Sequence, residues 1–317
     1  MAIKTIMTAA QMANDEKAWL ALRNKYIGGS DAGSVAGFSK WKSPYQLYLE
    51  KTGKQQAEDL SGNMRVWFGK RAEQIVADRF TLDTGKKLRK TGVWVNDKYP
   101  WACATLDRMI TGENSFLECK TSSGFTKDRW QEGQIPDNYY CQILHYMTVM
   151  EMDYCYIACL FDNCSDYVIR KVEFNEEDAK ALMSAEQAFF ENMALGIEPP
   201  VDGSEACGKA LSEKFKGGKI EPVELGSDVL DTVTKLLTAQ AQEKEIKQTI
   251  QRYQNELKTA LGDNEHGYAG NYEVNWTTVK ARQSIDSKLL KKEQPEIYAK
   301  YLKEGAPSRR FSIKKLG

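Results

Sequence analysis

The chain has 317 residues, enough for one large buried core plus an appendage. Its 44 basic side chains cancel its 44 acidic ones, so any binding to nucleic acid must rest on a local basic lining and not on a net positive charge. No window approaches the ~18 apolar residues of a membrane span, and residues 1–14 lack the charged-then-apolar layout of a signal peptide; an intracellular protein with no membrane partner is expected.

Helices are expected to about residue 80, then a strand-rich middle. Early in the chain, Gly28-Gly29-Ser30 frees backbone N–H groups beside a hydroxyl, and Ser30 or Asp31 can cap the short helix that follows. Residues 62–80 read as a helix with the apolar stripe Phe68, Ala72, Ile75, Val76 and Phe80 at steps of three and four. Glu73 has Gly69, Val76, Ala77 and Phe80 as helical neighbours, which places an acid at the edge of the core; pairing with Lys70 or Arg71 on the rim is the plainer alternative. Strands are expected over 88–96, 102–110, 115–121, 154–161 and 167–174. A helix entered at Pro136, where the missing N–H costs nothing, lies between the third and fourth. Its stripe is Tyr140, Ile143, Leu144 and Met147, with Gln142 and Tyr146 one turn apart on an adjacent face. His145 reads as a polar edge residue and His266 as part of a turn. The seven cysteines lack the close pairing of zinc or iron–sulfur sites, and Cys103, Cys119 and Cys141 read as small hydrophobes.

A helix over 176–195 closes this unit. Residues 201–220, rich in Gly, Lys and Ser, read as a linker. Beyond it, a long helix capped by Ser227 or Asp228 ends at Gly262, as a helical hairpin, a coiled-coil arm or a helix packed on the core. The tail combines a strand at 272–276 with the basic and aromatic run 309–315. The domain division expected is a core over 1–200, a linker over 201–220, and a helical and small α+β extension over 221–317.

The chemistry concentrates in two runs, Leu106-Asp107-Arg108 and Leu117-Glu118-Cys119-Lys120. A hairpin turning on Gly112-Glu113, with Gly at the first central position of a type II′ turn, sets Asp107 directly across from Glu118. Lys120 falls on the same face as Glu118. Like charges opposite one another destabilise a sheet. An exposed hairpin face would tolerate them, but Leu117 and Cys119 alternate with Glu118 and Lys120, so burial is expected, and a buried acid pair calls for a metal ion or a proton. Two carboxylates and a lysine so arranged are the signature of the PD-(D/E)xK nucleases.

The wider pattern resembles the YqaJ family of phage recombination exonucleases, relatives of lambda exonuclease. The residues that carry it are Arg23 with Ile27 to Ala32, Trp41 to Tyr48, Glu50 to Gly53, Phe68-Gly69 with Glu73, and Thr105 to Arg108. Leu117 to Thr121, Trp130, Ile135-Pro136 with Tyr139-Tyr140, and Gln142 with His145 to Met147 complete the series. The resemblance implies an α/β core, a mixed sheet flanked by helices, of restriction-endonuclease-like type. It implies a Mg²⁺-dependent deoxyribonuclease, with Mn²⁺ able to substitute, digesting duplex DNA ends 5′ to 3′ and leaving a 3′ single strand for an annealing protein of the RecT or Red beta type. A ring-shaped trimer encoded by a phage or prophage, at work in the bacterial cytoplasm, is implied as well.

In that scheme Asp107, Glu118 and the carbonyl of Cys119 hold the metal, and Glu73 supports a second ion or its waters. Lys120 orients or deprotonates the attacking water, with Gln142 helping to position it. Arg23 and Ser30 hold a 5′-phosphate, Arg23 through a bidentate fork, with Thr105 a further candidate and Tyr146 beside them. No second phosphate-binding base stands out between Ser122 and Trp130, although Lys127 and Arg129 are available. Two other classes remain open: another PD-(D/E)xK endonuclease or RecB-type nuclease, and a non-catalytic DNA-binding recombination scaffold.

Overall fold

The computed structural model describes residues 2–161, 166–305 and 308–313. The chain divides into two compact units, Met1–Lys216 and Gly217–Gly317. The first unit begins with β1 (Ile3–Met7), α1 (Ala9–Asn14), α2 (Glu16–Arg23), β2 (Ile27–Gly28), α3 (Gly29–Val35), α4 (Pro44–Lys51) and α5 (Met64–Thr84). There follow β3 (Leu88–Arg89), β4 (Val93–Asn96), β5 (Ala102–Thr105), β6 (Arg108–Ile110), β7 (Phe116–Ser122) and a 3₁₀ turn over Gly124–Trp130. It closes with α6 (Asp137–Met150), β8 (Tyr154–Phe161), β9 (Asp166–Glu173), α7 (Glu176–Ala194) and α8 (Glu205–Lys214).

The strands form two sheets, ordered β1-β4-β5-β2 and β3-β6-β7-β8-β9. Residues 88–96 and 102–110, expected as two continuous strands, each break and pass from one sheet to the other. The first break is at Gly92, where a Cβ would come within 1.9 Å of the Met7 carbonyl oxygen, so only glycine lets the chain pass so close to β1. The second is at Leu106-Asp107, between β5 and β6.

In the larger sheet β7 pairs with β6 antiparallel and with β8 parallel. Parallel neighbours need a crossover, and α6 supplies it. Alternation along the strands then sorts the core. Leu117, Ala158 and Leu160 meet Val76, Ala77 and Phe80 of α5, while Phe116, Cys155, Ile157, Cys159 and Phe161 join Ile143, Leu144 and Met147 of α6. Two of the α5 residues assigned to the buried stripe, Phe68 and Ile75, are instead exposed, because the helix contacts the sheet along a narrower line through Ala72, Val76, Ala77 and Phe80. Tyr140 is only half-buried and donates its hydroxyl to Asp178 (2.7 Å).

His145 is no edge residue. It is fully buried, with Nδ1 2.8 Å from Oε1 of the equally buried Glu186 on α7, and Nε2 3.0 Å from the carbonyl oxygen of Cys103. Burial alone would lower its pKa; the Glu186 carboxylate outweighs this and raises it. The pair locks α6, α7 and β5 together. Nor are residues 201–220 a plain linker, since α8 buries Ala206, Cys207 and Ala210. Glu198 helps fix it, accepting from Lys214 (2.9 Å), Lys54 (3.1 Å) and the Tyr45 hydroxyl (3.0 Å); bonds from the two lysines, Lys214 foremost, draw its pKa down to about 2.

The second unit contains α9 (Ser227–Leu261), β10 (His266–Ala269), β11 (Tyr272–Asn275), α10 (Ser287–Glu293) and α11 (Pro295–Tyr301). The helix α9 is one uninterrupted rod and no hairpin, with Ile246, Ile250, Tyr253 and Leu257 all exposed. His266 opens a strand, not a turn. The tail residues 314 and 315 lie outside the described residues. Among the described residues no helix is long and apolar enough to cross a membrane.

Because His145→Ala strands the Glu186 carboxylate without a partner in the core, it is expected to cost about 3–5 kcal/mol of unfolding free energy. Urea denaturation followed by circular dichroism measures this; a loss below 1 kcal/mol would show that the pair is not what holds α6 to α7.

Candidate active site

Register places the acidic residues as the hairpin symmetry predicts. Arg108 opposes Leu117 and Met109 opposes Phe116, which aligns Asp107 with Glu118, and the turn carries Gly112 at φ +86°. Asp107 itself falls just outside β6, at the break between the sheets. Its Oδ2 accepts the Cys119 N–H at 2.8 Å, so the side chain supplies the hydrogen bond that the interrupted ladder lacks.

On β7, Glu118 and Lys120 face α6, opposite to the Leu117 and Cys119 side that packs toward α5. Glu118 is 2% exposed. Its Oε1 accepts from Lys120 Nζ (2.7 Å) and Gln142 Nε2 (2.7 Å), and Gln142 Oε1 in turn accepts from Lys120 (2.8 Å). The three side chains form a closed triangle. Glu118 Oε2 is also buried but has no hydrogen-bond partner among the described residues. Lys120 further lies 4.8 Å from the centroid of the Tyr139 ring, a contact the sequence reading missed and that only the entry angle of α6 reveals.

The electrostatics follow from burial. Asp107 has its pKa raised well above the usual carboxylate range, by desolvation first and by the Glu118 charge second. Glu118 is raised by desolvation in spite of Lys120. For Lys120 desolvation favours the neutral amine, but Glu118 and Asp107 outweigh it and the pKa rises, so the lysine is held as an ammonium. Two carboxylates share one ammonium, and the cluster is short of positive charge.

Glu73 lies at the margin. Arg108, itself 5% exposed, donates Nη1 to Glu73 Oε1 and to the Asp107 carbonyl oxygen (2.6 Å), and Nη2 to Gln74 (3.1 Å). Neither Lys70 nor Arg71 partners Glu73: Lys70 reaches Glu16 (3.5 Å) and Arg71 stacks on Trp67 (4.1 Å). Gly69 does not admit a backbone; the nearest atom to a Cβ there would be Thr121 Oγ1 at 3.5 Å, from the strand beneath.

The second group of predicted residues meets the first in a single cavity of about 560 Å³, whose walls include Arg23, Gly28 to Ser30, Glu73, Thr105, Asp107 and Tyr146. Arg23, at the end of α2, donates Nη2 to Ser30 Oγ at 2.7 Å. The cap of α3 is Gly28, with Asp31 Oδ2 accepting the Gly28 N–H at 3.1 Å, so Ser30 remains available to Arg23. Gly29 has a different necessity, since a Cβ would lie 2.4 Å from Cε1 of Tyr146. Tyr146 also accepts from Gln142 at 3.3 Å and so connects the two groups. Thus Arg23, Ser30, Thr105 and Tyr146 line one wall, while Glu118, Cys119, Lys120 and Gln142 stand behind Asp107. Lys127 pairs with Asp166 and does not line the cavity, nor does Arg129. Lys70 and Lys90 do line it, and no local pattern in the sequence marked them out.

A model of the YqaJ-like viral recombinase domain matches residues 18–153 of the chain. Over 312 residues it is 34% identical to the protein YqaJ of Bacillus subtilis strain 168, covering 97% of this chain and 96% of that one. Two solved structures are also similar at lower identity. An alkaline exonuclease of Laribacter hongkongensis is 17% identical, covering 57% of this chain and 94% of that chain at a TM-score of 0.49. A phage-related exonuclease of Haemophilus somnus 129PT is 15% identical, covering 55% and 96% at 0.42.

In chelator, Asp107→Asn is expected to stabilise the protein at pH 7–8. A folded-state pKa raised above the unfolded value makes the protonated form the stable one, and that contribution is lost as pH rises through the folded pKa. The gain should read as a higher Tm, roughly 2–4 °C per kcal/mol for a chain of this size, and shrink as the pH is lowered toward 4. An equal Tm for both proteins at pH 8 would show that Asp107 bears no such strain.

Proposed function

Since the chain belongs to the YqaJ-like viral recombinase family, we propose that the cleft lined by Asp107, with Glu118 and Lys120 directly behind it, is the active site of a metal-dependent deoxyribonuclease that digests duplex DNA from its 5′ ends. The observation that carries the proposal is the buried Oε2 of Glu118, without a partner among the described residues, next to a second carboxylate of raised pKa and a lysine held as an ammonium.

A divalent cation fits this donor set. Glu118 Oε2 and Asp107 are hard oxygen donors in a cluster deficient in positive charge, and the carbonyl of Cys119 lies between Glu118 and Lys120 on the same strand. Among the described residues no three His, Cys, Asp or Glu side chains converge as a ready cage. This suits Mg²⁺, which takes one or two carboxylates and fills its shell with waters and phosphate oxygens, and Mn²⁺ can replace it. When bound, such an ion would lower the pKa of a water and offset charge on the phosphate. Glu73 is engaged by Arg108, so its support of a second ion would run from the rim through water.

The protein's own groups do the rest. As an ammonium, Lys120 stabilises negative charge on the reacting phosphate better than it accepts a proton, which narrows its role to an electrostatic one. Gln142 fixes Lys120 and Glu118 relative to one another. Arg23, with Ser30 already on one of its N–H groups, offers a fork for a terminal 5′-phosphate, with Thr105 and Tyr146 lining the same space. The product on this scheme is a 3′ single strand that an annealing protein of the RecT or Red beta type would take over in the cytoplasm of the bacterial cell, and a ring of three copies would keep the enzyme on its DNA.

End-labelled linear duplex incubated with Mg²⁺ is the test. Wild-type protein should degrade 5′-phosphorylated ends faster than 5′-hydroxyl ends and spare closed circles; circles cut as fast as linear DNA would make an endonuclease the better description. Lys120→Ala leaves Glu118 without its cation, so its folding is checked by circular dichroism; the folded variant should bind DNA and cleave nothing measurable, whereas near-normal cleavage would end the proposed role of Lys120.

Arg23→Ala should lose ten- to a hundred-fold on phosphorylated ends, since a charge-assisted contact is worth roughly 1.5–3 kcal/mol. Millimolar Mg²⁺ should also raise the Tm at pH 8 more than at pH 5, where protonation of the raised carboxylates competes, and Asp107→Asn should abolish most of that rise. An identical shift in the variant would place the ion elsewhere.

A further inference from the structure

Below the Arg23–Ser30 wall lies a buried ammonium that the proposed chemistry does not use. Lys51, the last residue of α4, has a side chain 5% exposed and does not line the cavity. Its Nζ lies 2.7 Å from Oδ2 of Asp31, 2.6 Å from the Tyr26 carbonyl oxygen and 3.0 Å from the Arg23 carbonyl oxygen. An ammonium has three hydrogens, and all three are committed. Asp31, 11% exposed at its side chain, also accepts the Gly28 N–H. Burial alone would raise the Asp31 pKa; Lys51 reverses this and draws it down, so the Asp31 carboxylate is held ionised.

The three acceptors belong to the two pieces of chain that carry the phosphate fork. Arg23 ends α2, and its carbonyl is one of the last-turn groups that have no acceptor role within the helix; besides Lys51 it takes a long bond from the Tyr26 N–H (3.4 Å). Asp31 sits in the first turn of α3, one residue after Ser30. We propose that Lys51 is a positioning residue that sets the separation between Arg23 and the Gly28-Gly29-Ser30 turn, and through it the selectivity for a terminal phosphate. The inference rests on the end-binding role proposed above for Arg23 and Ser30. Lysine suits the task better than arginine, because three divergent bonds from one atom can tie two carbonyls and a carboxylate that a planar fork cannot reach together.

The test is steady-state digestion of two duplexes that differ only in a 5′-phosphate or 5′-hydroxyl end. Lys51→Met should lower kcat/KM on the phosphorylated end on the order of ten-fold, mostly through KM, and leave the 5′-hydroxyl end within about two-fold. A lone buried Asp31 can compromise folding, so the paired variant Lys51→Met/Asp31→Leu, which strands no charge, is measured beside it. Either folded variant with the wild-type preference intact overturns the inference, and so does an equal fall on both ends, the mark of general structural damage. If wild-type protein shows no preference, the end-binding role itself fails before any Lys51 variant is made, and the inference falls with it.

Discussion

Everything about this cleft depends on the burial of one carboxylate. Glu118 sits on a strand with neighbours on both sides and helices over both faces, so water cannot hydrate it. An ionised carboxylate in that position needs compensation of several kcal/mol. Lys120 and Gln142 supply part of it through one oxygen. The other oxygen goes without, and the adjacent Asp107 makes the shortage worse. A packed core does not tolerate such a defect for structural reasons, since an apolar side chain would be more stable there. The defect therefore points to a function, in keeping with the rule that perturbed carboxylates gather where chemistry is done.

The break at Leu106-Asp107 is the second element of the design. Had residues 102–110 run as one strand, Asp107 would have spent its backbone in a ladder and pointed into a closed sheet. Because the chain changes sheets there, its side chain is half-buried, takes over the Cys119 N–H, and opens onto a cavity that reaches the end of α2. The same arrangement brings Tyr146 against Gly29, so the helix that carries Gln142 also sets the position of the Gly28-Gly29-Ser30 turn. The two halves of the cleft are thus mechanically connected through α6.

Charge neutrality of the whole chain is compatible at the same place with the polyanionic substrate proposed for it. Of the cations on the cavity wall, Lys70 is paired with Glu16 and Arg108 with Glu73, whereas Arg23 and Lys90 have no ion pair among the described residues. The field that a phosphate would meet is set by those two and by Lys120 behind them. Net charge averages over surfaces that face away from the cleft and has no bearing on it.

The sequence by itself determined the geometry of the candidate site where that geometry is local. Strand periodicity and the symmetry of one hairpin were enough to align Asp107 with Glu118 and to put Lys120 on the face of Glu118, because a two-residue repeat and a tight turn leave no other register. Helix spacing likewise placed Gln142 and Tyr146 together, one turn apart. Tertiary structure decided what depends on residues far apart in the chain. It turned His145 into a buried tie to Glu186, took Phe68 and Ile75 out of the core, folded α8 onto residues assigned to a linker, and split two expected strands between sheets. It also chose Arg108 as the partner of Glu73, and set Lys51 beneath Arg23. None of these has a local signature: a side chain's burial and its partner are fixed by which surfaces come to face it, and those surfaces are contributed by segments tens of residues away.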